Sequence, residues 1–157
     1  MPLSAYAFGG IMSTWNIKQT AEFQDWFDEA DDALQEDTVE HVELLKQFGP
    51  NLKRPYADTL KGSQLTNLKE LRFNSGNKVV RIFFIFDPDR NAVLLIGGDK
   101  AGSGDKTFYD TMIDQSEKIY GRYLEQRKKE IEKEQKRLDK QKQEPSEKTN
   151  KKKGKKK

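Results

Sequence analysis

The sequence LKGSQLTNLKELRFNSGNKVVRIFFIFDPDRNAVLLIGGDK, residues 60–100, decides the fold of this chain. It holds three strand-like apolar runs, at residues 68–73, 79–86 and 92–96. The first connection contains Ser75-Gly76-Asn77, and the second reads DPDRN, so both are short and built from residues that favour tight turns. Two short connections predict an antiparallel meander of three strands.

A cation interrupts the apolar face of the middle run. Arg81 alternates in register with Val79, Phe83 and Ile85. A guanidinium keeps its proton even when it is buried, so Arg81 must either be paired or line a cleft. A structural ion pair with Glu70 and an anion site both remain open.

The first run predicts a carboxylate and a guanidinium on one face of the sheet. Leu71 and Phe73 alternate toward a core, which leaves Glu70 and Arg72 on the opposite, open face. The segment after the third run, GGDKAGSGDKTFY, contains four glycines and could approach a phosphate closely. It is neither a dinucleotide fingerprint nor a P-loop, and a plain turn is the alternative.

Five motifs in this order and spacing resemble the HigB/RelE superfamily of toxins from bacterial type II toxin-antitoxin systems, and most closely its phage-derived HigB-like branch. They are LKGS at 60–63, NLKELR at 67–72, VVRIFFIFDP at 79–88, LLIGGDK at 94–100 and FY at 108–109. The resemblance covers residues 15–124. It implies an α+β, RelE-like fold, with two N-terminal helices packed on a twisted antiparallel sheet and a C-terminal helix.

The resemblance also implies a function. Such toxins are cytoplasmic, ribosome-dependent endoribonucleases that cut messenger RNA without a cofactor, and their partners are a cognate helix-turn-helix antitoxin, the ribosome and mRNA. Arg81 matches the arginine that holds the scissile phosphate, Lys100 the basic residue after the last core strand, and Tyr109 a tyrosine that stacks on a base.

The remaining candidate site residues are charged. Glu70 is the candidate base for attack by the ribose 2′-hydroxyl, a reaction that needs no metal. Further predicted RNA contacts are Arg72, Lys61, Lys69 and Lys106. Some RelE-type toxins carry a lysine where this chain has Glu70, so a non-catalytic relative that binds nucleic acid or antitoxin is the alternative.

Charge divides the chain. Residues 19–45 hold ten acids and no lysine or arginine, whereas residues 46–106 hold eleven basic and six acidic residues, a net charge of +5. The acidic stretch is typical of solvated helix faces, and in an RNA enzyme it should face away from RNA. Apolar residues recur at helical spacing over 23–34 and 36–48, where Gly49-Pro50 ends the second helix.

The single histidine, His41, is predicted to lie at the surface of the second helix, and it is far in sequence from the cations. With one histidine and no cysteine, the sequence supports neither a zinc site nor a histidine-based nucleophilic triad, and no metal site is predicted.

Length and composition predict a soluble chain of one domain with extensions, because 157 residues contain no apolar run long enough to span a bilayer. We expect an N-terminal extension at 1–12 with Met12 as an alternative start, the toxin domain at 13–124, and a charged helical extension with a disordered lysine-rich tail at 125–157. Residues 145–157 carry a net +6, which attracts phosphate without regard to sequence. A membrane-surface role for this tail ranks last, because no acylation motif accompanies it.

Overall fold

The computed structural model describes the backbone of residues 15–155 and the side chains of residues 15–143. The predicted α+β class, with two N-terminal helices and a C-terminal helix, is confirmed. The elements are β1 (Asn16–Gln19), α1 (Ala21–Glu29), α2 (Asp32–Phe48), a 3-10 turn (Gly49–Asn51), β2 (Ala57–Thr59), β3 (Lys69–Ser75), β4 (Lys78–Phe86), β5 (Asn91–Asp99) and α3 (Asp105–Lys155). The predicted extension at 1–12 lies outside the described residues.

The sheet has the order β1-β5-β4-β3-β2. The predicted meander β3-β4-β5 is antiparallel throughout, and Gly76, with a φ of 58°, forms the tight turn between β3 and β4. Two short strands extend it: β1 pairs parallel with β5 at one edge, and β2 pairs antiparallel with β3 at the other. No apolar run marks β2 in the sequence, because it has only three residues.

Helices α1 and α2 cover one face of the sheet. Their buried apolar side chains form a single core with those of the strands, including Phe23, Phe27, Val42 and Leu45 from the helices and Leu71, Ile82, Phe84 and Leu94 from the sheet. The first helix ends and the second begins earlier in the chain than the periodicity predicted. Asp31 caps α2 by accepting a hydrogen bond from the Leu34 backbone N–H at 2.8 Å, so Leu34 belongs to the second helix.

The start of α3 covers the other face. The ring centroids of Phe83 and Phe108 lie 6.2 Å apart, and Met112 is also buried. Gly97 and Gly98 belong to β5, where the space of their missing side chains is filled. A Cβ on Gly97 would lie 2.5 Å from Trp26, and one on Gly98 would lie 3.0 Å from Met112. These two glycines therefore permit close packing of helices on β5, and the expectation that they approach a phosphate was wrong.

The chain divides after Tyr120 into two units. In the second unit, Leu124, Ile131 and Leu138 are exposed at heptad spacing on α3, and charged pairs such as Arg137 and Glu134 link neighbouring turns. The predicted boundary at 124 and the predicted disorder of the lysine-rich tail stay predictions, since side chains beyond residue 143 are not described. Within the described part of the chain, no helix is long and apolar enough to cross a membrane.

Candidate active-site cleft

Glu70 lies between two arginines on neighbouring strands. Arg72 on β3 faces Arg81 on β4, and Glu70 is two residues before Arg72 on the same strand. Arg72 Nη1 donates a short hydrogen bond to Glu70 Oε1, and Arg81 Nε lies 3.9 Å from Glu70 Oε2. Glu70 is only 2% exposed, so the expectation that it stands on an open face was wrong. The reason is α3, whose first turns cover this face of the sheet.

This trio carries an excess positive charge. Two like charges directly opposite each other in a sheet repel, and one carboxylate neutralises only one of them. Arg81 Nη1 donates to the Val80 carbonyl at 2.9 Å, but Arg81 Nε and Glu70 Oε2 are buried without a hydrogen-bond partner among the described residues. A buried donor without an acceptor is unfavourable, so an anion with acceptor oxygens would be stabilised beside Arg81.

Tyr109, in the first turns of α3, lies next to this trio. Its ring centroid is 6.0 Å from that of Phe83, and Lys100 Nζ is 5.8 Å from the Tyr109 ring centroid. Burial raises the pKa of Tyr109, the Glu70 carboxylate raises it further, and the Arg81 guanidinium opposes both. The phenol therefore keeps its proton at neutral pH and can act as a hydrogen-bond donor.

An open cleft of about 460 Å³ lies beside the trio and is lined by two of its members, Glu70 and Arg72. Of the predicted site residues, it brings together Glu70, Arg72, Lys100, Tyr109 and Lys61. Arg81 is connected to the cleft through Glu70, so it is both paired and next to an open site. Lys100 is held by Asp105, with Nζ 3.3 Å from the carboxylate.

Two predicted RNA contacts lie outside the lining of the cleft. Lys69 Nζ donates to the Thr59 hydroxyl at 2.7 Å. Lys106 is exposed and pairs with Asp110 at 2.8 Å, one turn further along α3. Neither residue is placed with the buried trio, because alternation along β3 and rotation along α3 turn their side chains elsewhere.

The sequence did not reveal several lining residues. Arg54 and Asp58, paired at 2.8 Å, reach the cleft because β2 adds to the edge of β3. Glu117 of α3 fixes the loop that carries Lys61, by accepting hydrogen bonds from the Ser63 hydroxyl at 3.1 Å and the Gln64 backbone N–H at 2.9 Å. No local pattern in the sequence links these segments, which are up to 54 residues apart.

The described part of the chain presents no cluster of potential metal ligands. No group of three or more His, Cys, Asp or Glu side chains there could hold a metal ion. The cleft instead offers guanidinium and ammonium groups, a phenol, the buried Glu70 carboxylate and the more exposed carboxylates of Asp58 and Asp105, which pair with Arg54 and Lys100. Cations remain in slight excess, which suits recognition of an anion such as a phosphate.

Comparison with known proteins identifies relatives. The model of a family described as phage derived protein Gp49-like matches residues 25–121. HigB2 of Mycobacterium tuberculosis (strain ATCC 25618 / H37Rv), provisionally named a toxin, is 38% identical over 102 residues, which are 64% of this chain and 50% of HigB2. HigB3 of the same strain, also provisionally named a toxin, is 47% identical over 72 residues, which are 46% of this chain and 60% of HigB3. The chain thus spans half to three-fifths of the length of these relatives.

Two solved structures are similar in part. The toxin-antitoxin complex RelBE2 of Mycobacterium tuberculosis contains a chain with a TM-score of 0.44 and 13% identity, covering 54% of this chain and 96% of that one. A mutant of the Escherichia coli toxin RelE in the free state has a TM-score of 0.46 and 10% identity, covering 59% of this chain and 88% of RelE.

Proposed function

Because the chain belongs to the family of phage-derived Gp49-like proteins, we propose that it is the toxin of a toxin-antitoxin module and cuts messenger RNA on the ribosome. The relatives HigB2 and HigB3 support the toxin assignment through their names. The observation that carries the nuclease assignment is the excess positive charge of the Arg72-Glu70-Arg81 trio beside an open cleft. Under this proposal the partners of the chain are the ribosome, mRNA and a helix-turn-helix antitoxin, and the chain acts in the cytoplasm.

The residues in and beside the cleft support a metal-free mechanism of RNA cleavage. The ribose 2′-oxygen attacks the adjacent phosphorus and the bond to the 5′-oxygen breaks, while Glu70 takes the proton from the 2′-hydroxyl and a water molecule protonates the departing 5′-oxygen. Arg81 and Lys100 neutralise the phosphate as negative charge grows on it. Arg72 occupies Glu70 Oε1, and the proton from the 2′-hydroxyl passes to Oε2, which lies near Arg81 and Tyr109. Tyr109 orients a base at the mouth of the cleft.

One observation favours a second candidate, a non-catalytic relative that binds nucleic acid or antitoxin. Glu70 is buried and bonded to Arg72, as expected of a structural ion pair that organises two arginines. In that case the cleft binds a phosphate and no step of cleavage follows.

Replacement of Arg81 separates these functions. We expect Arg81→Ala to slow mRNA cleavage on programmed ribosomes by about 100-fold or more, the typical effect of losing one donor to a developing oxyanion. The measurements are single-turnover cleavage with mapped RNA ends, and growth after induced expression. Lys78→Ala is the matched control, since Lys78 lies outside the cleft and pairs with Asp31 at 3.1 Å.

The Arg81 variant must be shown to fold, because loss of folding would also abolish cleavage. Loss of Arg81 leaves the Glu70 carboxylate with one cation fewer, and breaking a buried pair costs about 3–5 kcal/mol. Circular dichroism checks that Arg81→Ala folds, and Arg81→Lys keeps a cation beside Glu70 while losing the guanidinium fork. Cleavage by a folded Arg81 variant at the wild-type rate contradicts the nuclease assignment. A wild-type chain that inhibits growth without cutting RNA favours the non-catalytic relative.

A further inference from the structure

A second hollow, of about 360 Å³, lies next to the cleft at the edge of β3, where β2 no longer covers it. Arg72 lines both the cleft and this hollow. The hollow is lined by four residues with ring side chains, by two arginines and by one asparagine: His41, Pro55, Tyr56, Phe73, Arg72, Arg81 and Asn74. The proposed cleavage chemistry uses none of these four rings.

The rings form a prepared aromatic surface. His41 stacks on Phe73 with ring centroids 4.3 Å apart and planes 11° apart, and although it is far in sequence from Arg72 and Arg81 it lines the same hollow. Tyr56 follows at 6.4 Å from His41 and is 44% exposed, whereas Phe73 is buried. An exposed ring beside a stacked pair and a guanidinium is the combination on which single-stranded nucleic acids stack their bases.

The charges around the hollow determine which part of a nucleotide, the base or the phosphate, is favoured against each wall. Arg81 is among the residues that line the hollow, and its Nε is buried without a hydrogen-bond partner among the described residues, 3.9 Å from Glu70 Oε2. Helix α2, which supplies His41, belongs to the acidic stretch with ten carboxylates and no lysine or arginine over 19–45. A phosphate is therefore disfavoured against α2 and favoured against the arginines, while an uncharged base tolerates the α2 wall.

We propose that this hollow is a subsite for the base of a nucleotide next to the scissile phosphate, with Tyr56 and His41 as the stacking residues. The proposal rests on the proposed function, because Arg72 and Arg81 join the hollow to the cleft in which that phosphate would bind. It makes Tyr56 and His41 binding residues with no part in bond breaking.

His41 is the single histidine among the 157 residues, so its ring resonances in an NMR spectrum cannot be confused with those of another histidine. They report directly on the hollow. The probe is a 2′-O-methyl RNA hexamer of mixed sequence, which cannot be cleaved because it has no free 2′-hydroxyl. Titrated into the full chain, it is expected to shift the His41 ring signals through the ring current of a stacked base. A hexamer of the same charge with abasic sugars is expected to leave them unchanged.

Tyr56 provides the matched variants. Tyr56→Ala is expected to weaken binding of the hexamer about tenfold, since loss of one base-stacking ring typically costs between a few-fold and a hundredfold in affinity. Tyr56→Phe keeps the ring and is expected to bind within about twofold of wild type. In single-turnover cleavage, Tyr56→Ala should raise the RNA concentration needed for half-maximal rate and leave the maximal rate unchanged.

Several outcomes overturn the subsite while sparing the proposed function. In each of them the wild-type chain still cuts mRNA on the ribosome. The first is that the His41 signals stay fixed as the hexamer binds, and the second is that Tyr56→Ala and Tyr56→Phe bind the hexamer with equal affinity. The third is that the abasic hexamer shifts the His41 signals as much as the hexamer with bases. Equal shifts with hexaglutamate would show a site for acidic peptides, which also overturns base recognition. Failure of the wild-type chain to cut RNA overturns the proposed function, and the hexamer titration then decides whether the hollow binds bases.

Discussion

Glu70 has two possible tasks, and its two oxygens differ. Oε1 accepts a hydrogen bond from Arg72, while Oε2 lies 3.9 Å from Arg81 Nε and has no hydrogen-bond partner among the described residues. If Oε2 takes the 2′-hydroxyl proton, Glu70→Gln should slow single-turnover cleavage by about 10²–10⁴-fold at unchanged RNA affinity, since glutamine keeps the shape and loses the base. A rate within about threefold of wild type would leave Glu70 as a positioning residue for the two arginines.

Tyr109 provides a pH-dependent observable at the same site. Its pKa is raised by burial first and by the Glu70 carboxylate second, so its phenol should ionise above the ordinary value of about 10. The stability that this tyrosine contributes is therefore fully present below about pH 10 and is lost as the pH rises through the folded-state pKa. Absorbance at 295 nm, wild type minus Tyr109→Phe, measures this ionisation. A midpoint at or below 10 would contradict the burial of Tyr109 beside Glu70.

At the scale of elements, Thr20 joins α1 to the sheet. Its hydroxyl oxygen accepts from the Phe23 backbone N–H at 3.1 Å as the cap of α1, and its O–H donates to the Leu95 carbonyl of β5 at 2.6 Å. Thr20→Ala removes both bonds and should lower the free energy of unfolding by about 1–3 kcal/mol. Urea unfolding measures this loss. Thr20→Ser keeps the hydroxyl and is expected to lose less, and equal losses would show that the methyl group matters more.

Positive charge is unevenly distributed along the whole chain. Residues 145–157 carry a net +6 and the remaining 144 residues a net −3, so the basic character of the chain belongs to its lysine-rich end. Deletion of 145–157 should weaken ribosome or RNA binding mainly at low salt and leave the cleavage positions unchanged, because counterion release adds affinity without reading bases. Binding at several salt concentrations and mapped RNA ends test this. Shifted cleavage positions would show that the tail helps to select the site.

The central sheet and the placement of its cations could be predicted from local patterns in the chain. Alternation and short turns predicted the β3-β4-β5 meander, because side chains with a period of two and a tight turn are local properties of the chain. The same local pattern placed Arg81 on an otherwise apolar face, and chemistry then required a partner or a cleft for it. Glu70 was named as that partner from the neighbouring strand, and the structure places it 3.9 Å away.

Only the tertiary structure decided how open each of these groups is and which distant groups join them. Helix α3 buries Glu70, β2 brings Asp58 and its partner Arg54 to the cleft, and Glu117 holds the Lys61 loop. Alternation along β3 assigned Glu70 to a face and could not tell that a helix beginning 35 residues later covers that face. His41 and Tyr56 likewise meet the arginines only because α2 and the segment before β2 pack at one edge of the sheet. Such contacts depend on packing between segments far apart in the chain, and no periodicity within one segment records them.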